Sequence, residues 1–250
     1  MSHPPFTVAT LRDCPGLESE INRLASDLWP KFMLRDPVVE DNWRLLYERY
    51  PEYQLFLLDG EDRRVIAVGN SCPLPWEGKP AELPDTGIDW ILTELAARAT
   101  FAPKNQFALQ IMVDRAQLGH GLSGQVVAAM AAIGRARGCR NLFAPVRPNR
   151  KGDYPLIPME HYIRWTRDDG LPFDPWMRVH ARLGAEIVGV CARSMYIPGS
   201  IAQWEAWTGL TFPGSGEYVV PGGLAPVRVD RERDRAEYLE PNVWMRHRLT

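Results

Sequence analysis

The stretch FALQIMVDRAQLGHGLSGQVVAAMAAIGRARG, residues 107–138, decides how the chain folds. Residues 107–113 place Phe, Leu, Ile and Val at every second position, and this period of two predicts a β-strand. Gly119 and Gly121 then interrupt the pattern. Alanine and larger apolar residues at helical spacing follow, and they predict a helix that Ser123 caps and Gly138 ends. The stretch therefore predicts a strand, a tight glycine turn and a helix.

The glycine turn is a candidate binding site for an anion. The first N–H groups of a helix lack backbone partners, and the helix dipole makes this end positive. Glycine residues also let a phosphate approach the backbone closely. We therefore expect an anion to bind the segment formed by Gly119, His120, Gly121, Leu122 and Ser123. An ordinary strand-to-helix turn that binds nothing is the alternative.

One interpretation of the turn is a dinucleotide site. Gly119, Gly121 and Gly124 match the pattern G-x-G-x-x-G, which calls for an acidic residue about 20 positions later, after the next strand. The next predicted strand is 141–146, and it is followed by Arg147 instead. Because an arginine can accommodate a 2′-phosphate, an NADP-dependent oxidoreductase remains an alternative. The repeated βαβ units of a doubly wound sheet are not visible downstream.

A second interpretation is a resemblance to a known family. The segment resembles the acyl-CoA-binding motif of the GCN5-related N-acetyltransferase (GNAT) superfamily, in which a strand leads into R/Q-x-x-G-x-G/A. Residues 119–123 match the glycine core, whereas Leu118 stands where the family has Arg or Gln. The resemblance implies that backbone amides of the turn bind the CoA pyrophosphate. It also implies that a backbone N–H near Met112 or Val113 stabilises the oxyanion of the reaction.

The amino-acid composition narrows the classes of protein and of binding partner that remain possible. The 250 residues include 29 basic and 31 acidic side chains, so the net charge of −2 gives no electrostatic case for nucleic acid or an anionic membrane. The four cysteines are scattered without metal-ligand spacing, which predicts free thiols and no metal site. No signal peptide and no apolar run of about 18 residues is visible. We therefore expect one cytoplasmic domain, residues 1–250.

The order of predicted elements agrees with the GNAT resemblance. Before the central strand, we expect a strand at 6–11, helices at 15–29 and 40–50, strands at 53–58 and 65–71, and a helix at 88–98. After residue 138, we expect strands at 141–146 and 186–196, helices at 176–183 and 200–207, and strand-like segments at 217–220, 225–229 and 243–246. The predicted fold class is therefore mixed α/β, as a single GNAT-type domain with an insertion between the fifth strand and the family's fourth helix.

His180 is the candidate proton donor. After its fifth strand the family has a helix whose tyrosine precedes a glycine by four residues, and His180 occupies that position before Gly184. The resemblance implies that this side chain protonates the departing CoA thiolate. A histidine can make the same transfer because its reference pKa lies near neutral pH. A half-buried histidine with a purely structural hydrogen bond is the alternative.

Residues 149–173 are the predicted insertion, and they are dense in charged and aromatic side chains. Long segments of this kind in a compact domain usually carry function or have structure of their own. We expect an acceptor-side loop in which Glu160 or Asp153 deprotonates the acceptor, with His161 and Tyr162 as alternative proton carriers. An ion pair between Glu160 and Arg164, four residues apart on a helical turn, is the structural alternative.

Together these patterns predict an acyltransferase that moves an acyl group from acetyl-CoA, or another acyl-CoA, to an amine. The acceptor is expected to be a small molecule or a carrier-bound substrate, and the resemblance suggests a homodimer. A carrier-protein thioester as donor and a non-catalytic acyl-CoA binder remain alternatives, since Leu118 removes a side-chain contact to the pyrophosphate. The sequence does not specify the acyl group or the acceptor.

Overall fold

The computed structural model describes residues 6–60 and 63–250. Its strands are β1 (Phe6–Thr10), β2 (Gln54–Asp59), β3 (Val65–Leu74), β4 (Asn105–Val113), β5 (Asn141–Val146), β6 (Glu186–Gly199), β7 (Gly216–Tyr218), β8 (Val227–Asp230) and β9 (Arg235–Arg248). Its α-helices are α1 (Glu18–Leu28), α2 (Pro37–Asn42), α3 (Arg44–Arg49), α4 (Gly87–Ala97), α5 (Leu122–Ala136), α6 (Met159–Tyr162), α7 (Pro175–Arg182) and α8 (Ile201–Thr208). None of the described helices is long and apolar enough to cross a membrane.

The described strands form one mixed sheet that opens between β4 and β5. The strand order is β1-β2-β3-β4-β5-β9-β8-β7, and β6 pairs with β9 off this path. Strands β4 and β5 are parallel and pair only at Gln106 with Leu142 and at Phe107 with Phe143. Beyond this point β4 continues along β3 and β5 continues along β9. The two strands therefore diverge and leave a wedge-shaped gap in the sheet.

A bulge in β4 accompanies this divergence. The register between β3 and β4 shifts at Leu109. Its neighbours Ala108 and Gln110 pair with adjacent residues of β3, so Leu109 is the extra residue. Phe107 and Leu109 pack in the cluster with α4, whereas Ile111 packs in the cluster with α5. One extra residue reverses the alternation of side chains and bends the strand. The odd-numbered side chains of β4 thus pack in the cluster with α4 before the bulge and in the cluster with α5 after it.

Helices cover both faces of the sheet. On one face α5 buries Val126, Val127 and Met130, which follow each other at helical spacing, against apolar side chains of the central strands. On the other face α3 and α4 pack on Phe107 and Phe143. The two phenylalanine rings are stacked, with centroids 5.4 Å apart. Since this pair occupies the last paired position of β4 and β5, it fixes the apex of the gap.

Several predicted elements differ in their bounds. The predicted helix 40–50 is two helices, and α2 begins at Pro37 because the Asp36 carboxylate accepts hydrogen bonds from the amides of Val38 and Val39 at 2.8 and 3.1 Å. The strand-like segment 243–246 lies within β9, which spans 14 residues and pairs with β5, β6 and β8. Buried polar residues and Pro241 hide the alternation of β9 in the sequence.

Candidate active site

A cavity of about 740 Å³ occupies the gap between β4 and β5. On the α5 face it is lined by the glycine turn and by Trp176 and His180 of α7. On the opposite face it is lined by side chains from α1, α2 and α3. The cavity thus reaches both faces of the sheet through its open seam. Two reactants can approach each other there from opposite sides.

The glycine turn has the conformation that an anion site requires. Gly119 and Gly121 have φ of +83° and +73°, in the left-handed region that favours glycine. Gly121 is the N-cap of α5, and no side chain caps this helix. The prediction that Ser123 is the cap was therefore wrong, because the chain enters the helix through Gly121 and Ser123 lies in the first turn. The amides of that turn face no capping side chain that would compete with a ligand.

Leu118 and its neighbour Gln117 line the cavity next to the turn. The side chain of Leu118 is 60% exposed. It offers no hydrogen-bond donor at the position where a long polar side chain would reach an anion. Gln117 does carry such a donor, one position before the place that the motif gives to Arg or Gln.

The open edge of β4 presents backbone amides to the cavity. The amide of Asp114 donates to the Ile66 carbonyl on β3 at 2.9 Å. Successive amides of a strand point to opposite edges, so the amides of Val113 and Ile111 are directed to the edge that β5 leaves open. The amide of Met112 is directed to β3, and its side chain is buried in the cluster with α1. Of the two residues predicted for the oxyanion contact, Val113 is the one with a suitable amide.

His180 is buried at the wall of the cavity and touches a second histidine. Its Nδ1 atom lies 2.8 Å from Nε2 of His247 on β9. Its Nε2 atom is also buried, and it has no hydrogen-bond partner among the described residues. The ring of Trp176 packs edge-on against it, with centroids 4.4 Å apart. Helix α7 holds both residues, and the Asp174 side chain caps it through the amides of Trp176 and Met177.

Both histidines are neutral at physiological pH. Burial, aided by repulsion from His247, lowers the pKa of His180 to about 3. Burial also lowers the pKa of His247 to about 4, against a hydrogen bond to the Leu183 backbone that favours its protonated form. One of the two facing nitrogens donates and the other accepts, so the two neutral rings have complementary tautomers. When Nδ1 of His180 is the donor, its Nε2 is unprotonated.

The other two catalytic candidates lie elsewhere. Glu160 is exposed and lines a separate surface depression beside Leu156. Tyr162 is buried and donates a hydrogen bond to Oδ2 of Asp174 at 2.8 Å, and burial raises the pKa of its phenol. Of the described residues in the insertion, Asn149 is the one that lines the main cavity. The structure therefore does not bring Glu160 or Tyr162 to the place where His180 and the glycine turn meet.

The aromatic side chains of the insertion pack together and extend the core cluster that contains α5. Aromatic rings from four of its residues pack against one another, with centroid distances of 4.9 to 6.2 Å among Tyr154, Tyr162, Trp165 and Phe173. Lys151 anchors this segment, since its buried ammonium donates to the carbonyls of Tyr154 and Leu224 at 2.8 and 2.7 Å. In the structure, the aromatic side chains of the insertion thus serve packing, and Lys151 anchors the segment.

Three polar residues in the cavity had no assigned role in the acyl-transfer interpretation. Arg147 follows β5, and Glu240 and Asn242 lie on β9. Alternate residues of a strand share one face, which places Glu240 and Asn242 on the face of Trp244, covered by α4. In the sequence, the spacing of two between Glu240 and Asn242 could have indicated one face of a strand. Pro241 between them obscures that strand.

No family model matches the chain. The arginine N-acetyltransferase avaD from Aspergillus versicolor is 33% identical over 254 residues, which cover 89% of this chain and 86% of that protein. Among solved structures, the loading GNATL domain of CurA from Lyngbya majuscula has a TM-score of 0.62 at 15% identity, with 98% of each chain covered. The GphF GNAT-like decarboxylase in complex with isobutyryl-CoA also has a TM-score of 0.62, at 18% identity, with 98% and 100% covered.

The opened mixed sheet and the uncapped glycine turn agree with the fold of these GNAT-like structures, and the N-acetyltransferase relative supports an acyltransferase. The chain belongs to the GNAT superfamily. The predicted superfamily and the mixed α/β fold class are thus confirmed. The dinucleotide alternative does not fit, because within the described residues β4 and β5 are the one parallel pair and no doubly wound sheet exists.

Proposed function

We propose that the protein transfers the acetyl group of acetyl-CoA to an amine of arginine. The 33% identity to an arginine N-acetyltransferase over most of both chains is the observation that carries this proposal. The chemistry of the cavity mouth opposite the glycine turn supports it. A guanidinium group is recognised by carboxylates and by the faces of aromatic rings, and both are present there.

The guanidinium subsite would be formed by Glu18, Trp43 and Tyr47, which line the cavity from α1 to α3. The indole N–H of Trp43 donates to the Tyr47 hydroxyl at 2.7 Å, so the two rings hold each other in place. Glu18 is close enough that its charge contributes to raising the pKa of Tyr47, after the larger effect of burial, to about 12. A neutral phenol, an indole and a carboxylate together suit a planar cation.

The donor would bind along the other part of the cavity. The amides at the start of α5 would hold the pyrophosphate, with Gly119 and Gly121 allowing its close approach. The thioester carbonyl would lie against the open edge of β4. There the amide of Val113 or Ile111 would donate to the oxygen as it becomes negatively charged.

In this reaction the acceptor nitrogen attacks the thioester carbon, a C–N bond forms and the carbonyl oxygen takes up negative charge. The tetrahedral intermediate then collapses, the C–S bond breaks and the CoA thiolate leaves. The attached nitrogen must lose a proton and the sulfur must gain one. His180 presents an unprotonated Nε2, so we assign it to carry this proton from nitrogen to sulfur. The thiolate stabilises the imidazolium while the proton is in transit.

The test is release of CoA thiol from acetyl-CoA in the presence of L-arginine, with the acetylated product identified by mass spectrometry. Gly121→Val should abolish acetyl-CoA binding, because a β-branched residue is strained at this φ and obstructs the approach of the phosphate. Gly138→Val is the matched control. Gly138 has the same φ of +73° at the other end of α5 and open space around it.

Three results would revise the proposal in different ways. Turnover with other amines but not with arginine would show that arginine is not the acceptor, while the proposed acyl transfer would stand. Consumption of an acetylated carrier protein but not of acetyl-CoA would identify a carrier thioester as donor. Equal loss of acetyl-CoA binding in Gly121→Val and Gly138→Val would show that the turn acts through stability alone.

A further inference from the structure

Arg147, Glu240 and Asn242 form a polar cluster in the wall of the cavity, on the face that carries α1 to α4. Arg147 Nε lies 2.5 Å from Glu240 Oε1, and Nη2 donates to the Gly222 carbonyl at 2.5 Å. The guanidinium carbon of Arg147 lies 5.8 Å from the centre of the Trp29 ring. These contacts fix the orientation of a cation whose side chain is still 22% exposed.

Glu240 is fully buried and is held from its other side. The Tyr238 hydroxyl donates to its Oε2 atom. Burial raises the pKa of Glu240, with Arg147 and the hydrogen bonds of Tyr238 and Asn242 acting in the opposite direction. Lys151 is a further buried cation that feels the charge of Glu240. A carboxylate in such a place is poised between its charged and neutral forms.

One acceptor atom of this cluster lacks a hydrogen-bond donor. Asn242 Oδ1 is buried and has no hydrogen-bond partner among the described residues. Glu240 Oε1 instead faces the charged Arg147 Nε at 2.5 Å. Buried acceptors without donors are unfavourable and rare in native structures. An unpaired acceptor beside an ion pair on the wall of a cavity indicates that a ligand supplies the donor.

The cluster is complementary to one particular chemical group. The Arg147 guanidinium and the Glu240 carboxylate together carry no net charge, and so does an amino acid with an ionised carboxylate and ammonium. A carboxylate fits the planar guanidinium, and an ammonium supplies N–H donors to two oxygen acceptors. A guanidinium group would fit the acceptors less well, because Arg147 would repel it.

We propose that Arg147, Glu240 and Asn242 bind the α-carboxylate and α-ammonium of a free amino acid, and that Glu240 removes the first proton from this ammonium. This inference rests on the proposed function, and it specifies which nitrogen reacts. The proton moves from the ammonium to a Glu240 oxygen, which leaves a neutral amine with a lone pair for the attack on the thioester. Glu240 returns the proton to solvent after the product leaves.

The nature of the two candidate nitrogens agrees with this assignment. An α-ammonium loses its proton several pH units below a guanidinium, whose pKa lies above about 12. A buried carboxylate can deprotonate the first group but is far too weak a base for the second. We therefore expect the product to be the Nα-acetyl amino acid. The acceptor is then a free amino acid and not an arginine within a peptide chain.

The experiment compares L-arginine with agmatine, which keeps the primary amine and the guanidinium but lacks the carboxylate. We expect the wild-type protein to prefer L-arginine by at least 50-fold in kcat/KM (an order-of-magnitude figure for losing one carboxylate–guanidinium contact). Arg147→Leu should reduce this preference to about 5-fold or less. Arg193→Leu is the matched control, because Arg193 is an exposed arginine paired with an exposed Asp85, and it should keep the preference.

Glu240→Gln should lower kcat by about 100-fold, as expected for the loss of a general base, while the affinity for acetyl-CoA stays the same. That affinity, measured by calorimetry, also shows whether each variant is folded. Agmatine used as well as L-arginine, an unchanged preference in Arg147→Leu, or an acetylated guanidine in the product would each overturn the inference and leave the proposed function intact. No turnover of L-arginine at all would refute the proposed function, and the inference with it.

Discussion

His180 Nδ1 and His247 Nε2 lie 2.8 Å apart, so each ring restricts the tautomer of the other. The proposed reaction uses the pair in which His247 accepts from His180. In that pair Nε2 of His180, a residue of the cavity wall, is unprotonated. His247 is thus a positioning residue for the group to which we assign proton transfer.

His247→Leu should lower kcat by about 10-fold, because His180 loses the acceptor that fixes its tautomer and ring orientation. His247→Gln should restore part of the rate, since the Gln carbonyl oxygen can accept the same hydrogen bond. The measurement is kcat and KM for acetyl transfer, with the affinity for acetyl-CoA as a check on folding. A Leu variant as active as the wild-type protein would leave His247 without this role.

The two histidines should also make the fold sensitive to acid. The pKa of His180 is lowered to about 3 and that of His247 to about 4. In the unfolded chain both take up a proton near pH 6.5, whereas in the folded protein they do not. Their contribution to stability is therefore complete above pH 6.5 and is lost as the pH falls toward 3. His180 contributes a loss on the order of 4 kcal/mol over that range.

Urea unfolding between pH 7 and 4 measures this loss. The double variant His180→Leu/His247→Leu should show a flatter dependence on pH over this range, even if it is less stable at pH 7. Arg135 of α5 is the charged group that also lowers the pKa of His247, so Arg135→Gln should move the acid limb slightly to lower pH. If the free energy of unfolding of the double variant depended on pH as steeply as before, carboxyl groups alone would cause the loss of stability in acid.

The parts of the site that were predicted from sequence depend on contacts between near neighbours. The strand, the glycine turn and α5 are specified by periodicity and by Gly119 and Gly121, so a single stretch was sufficient. His180 was found through its spacing to Gly184 on one helix. The predicted N-cap, Ser123, lies two residues after the observed one, Gly121, because a glycine with positive φ can begin a helix without a side-chain cap.

Arg147, Glu240 and Asn242 could not be found in the same way. They come together because β9 lies beside β5, and that pairing joins segments about 100 residues apart. Conversely, Glu160 and Tyr162 were chosen for the composition of their segment. Composition does not distinguish a recognition loop from a segment whose aromatic rings pack together.

A buried pair of carboxyl groups gives a further prediction about stability. Asp36 and Asp89 both accept from the Tyr196 amide at 3.0 Å. Burial and the neighbouring Asp36 raise the pKa of Asp89 to about 8. Because the folded state keeps a proton that the unfolded state releases above pH 4, this carboxyl group lowers stability increasingly between pH 4 and 8. An amide at position 89 would avoid this loss.

Asp89→Asn should therefore raise the free energy of unfolding by about 2 kcal/mol at pH 8, after allowance for partial exposure, and by little at pH 4. Asp36→Asn is the matched comparison, and it should gain less because Asp36 also caps α2 with a carboxylate. The measurement is the urea midpoint of each variant at pH 4 and pH 8. A gain for Asp89→Asn that is equal at both pH values would show that the proton kept by Asp89 in the folded state is not the cause.

Leu118 offers the last test, because the structure exposes its side chain beside the turn where the pyrophosphate is proposed to bind. Leu118→Arg should tighten the binding of CoA by about 5-fold, since a guanidinium can make charge-assisted hydrogen bonds to a phosphate. Calorimetry should show that the gain shrinks as salt is raised, because an exposed ion pair is screened. Acetyl-pantetheine, which lacks the pyrophosphate, is the control ligand. An equal gain for both ligands would mean that the arginine acts on the pantetheine end, and that the pyrophosphate does not lie at the start of α5.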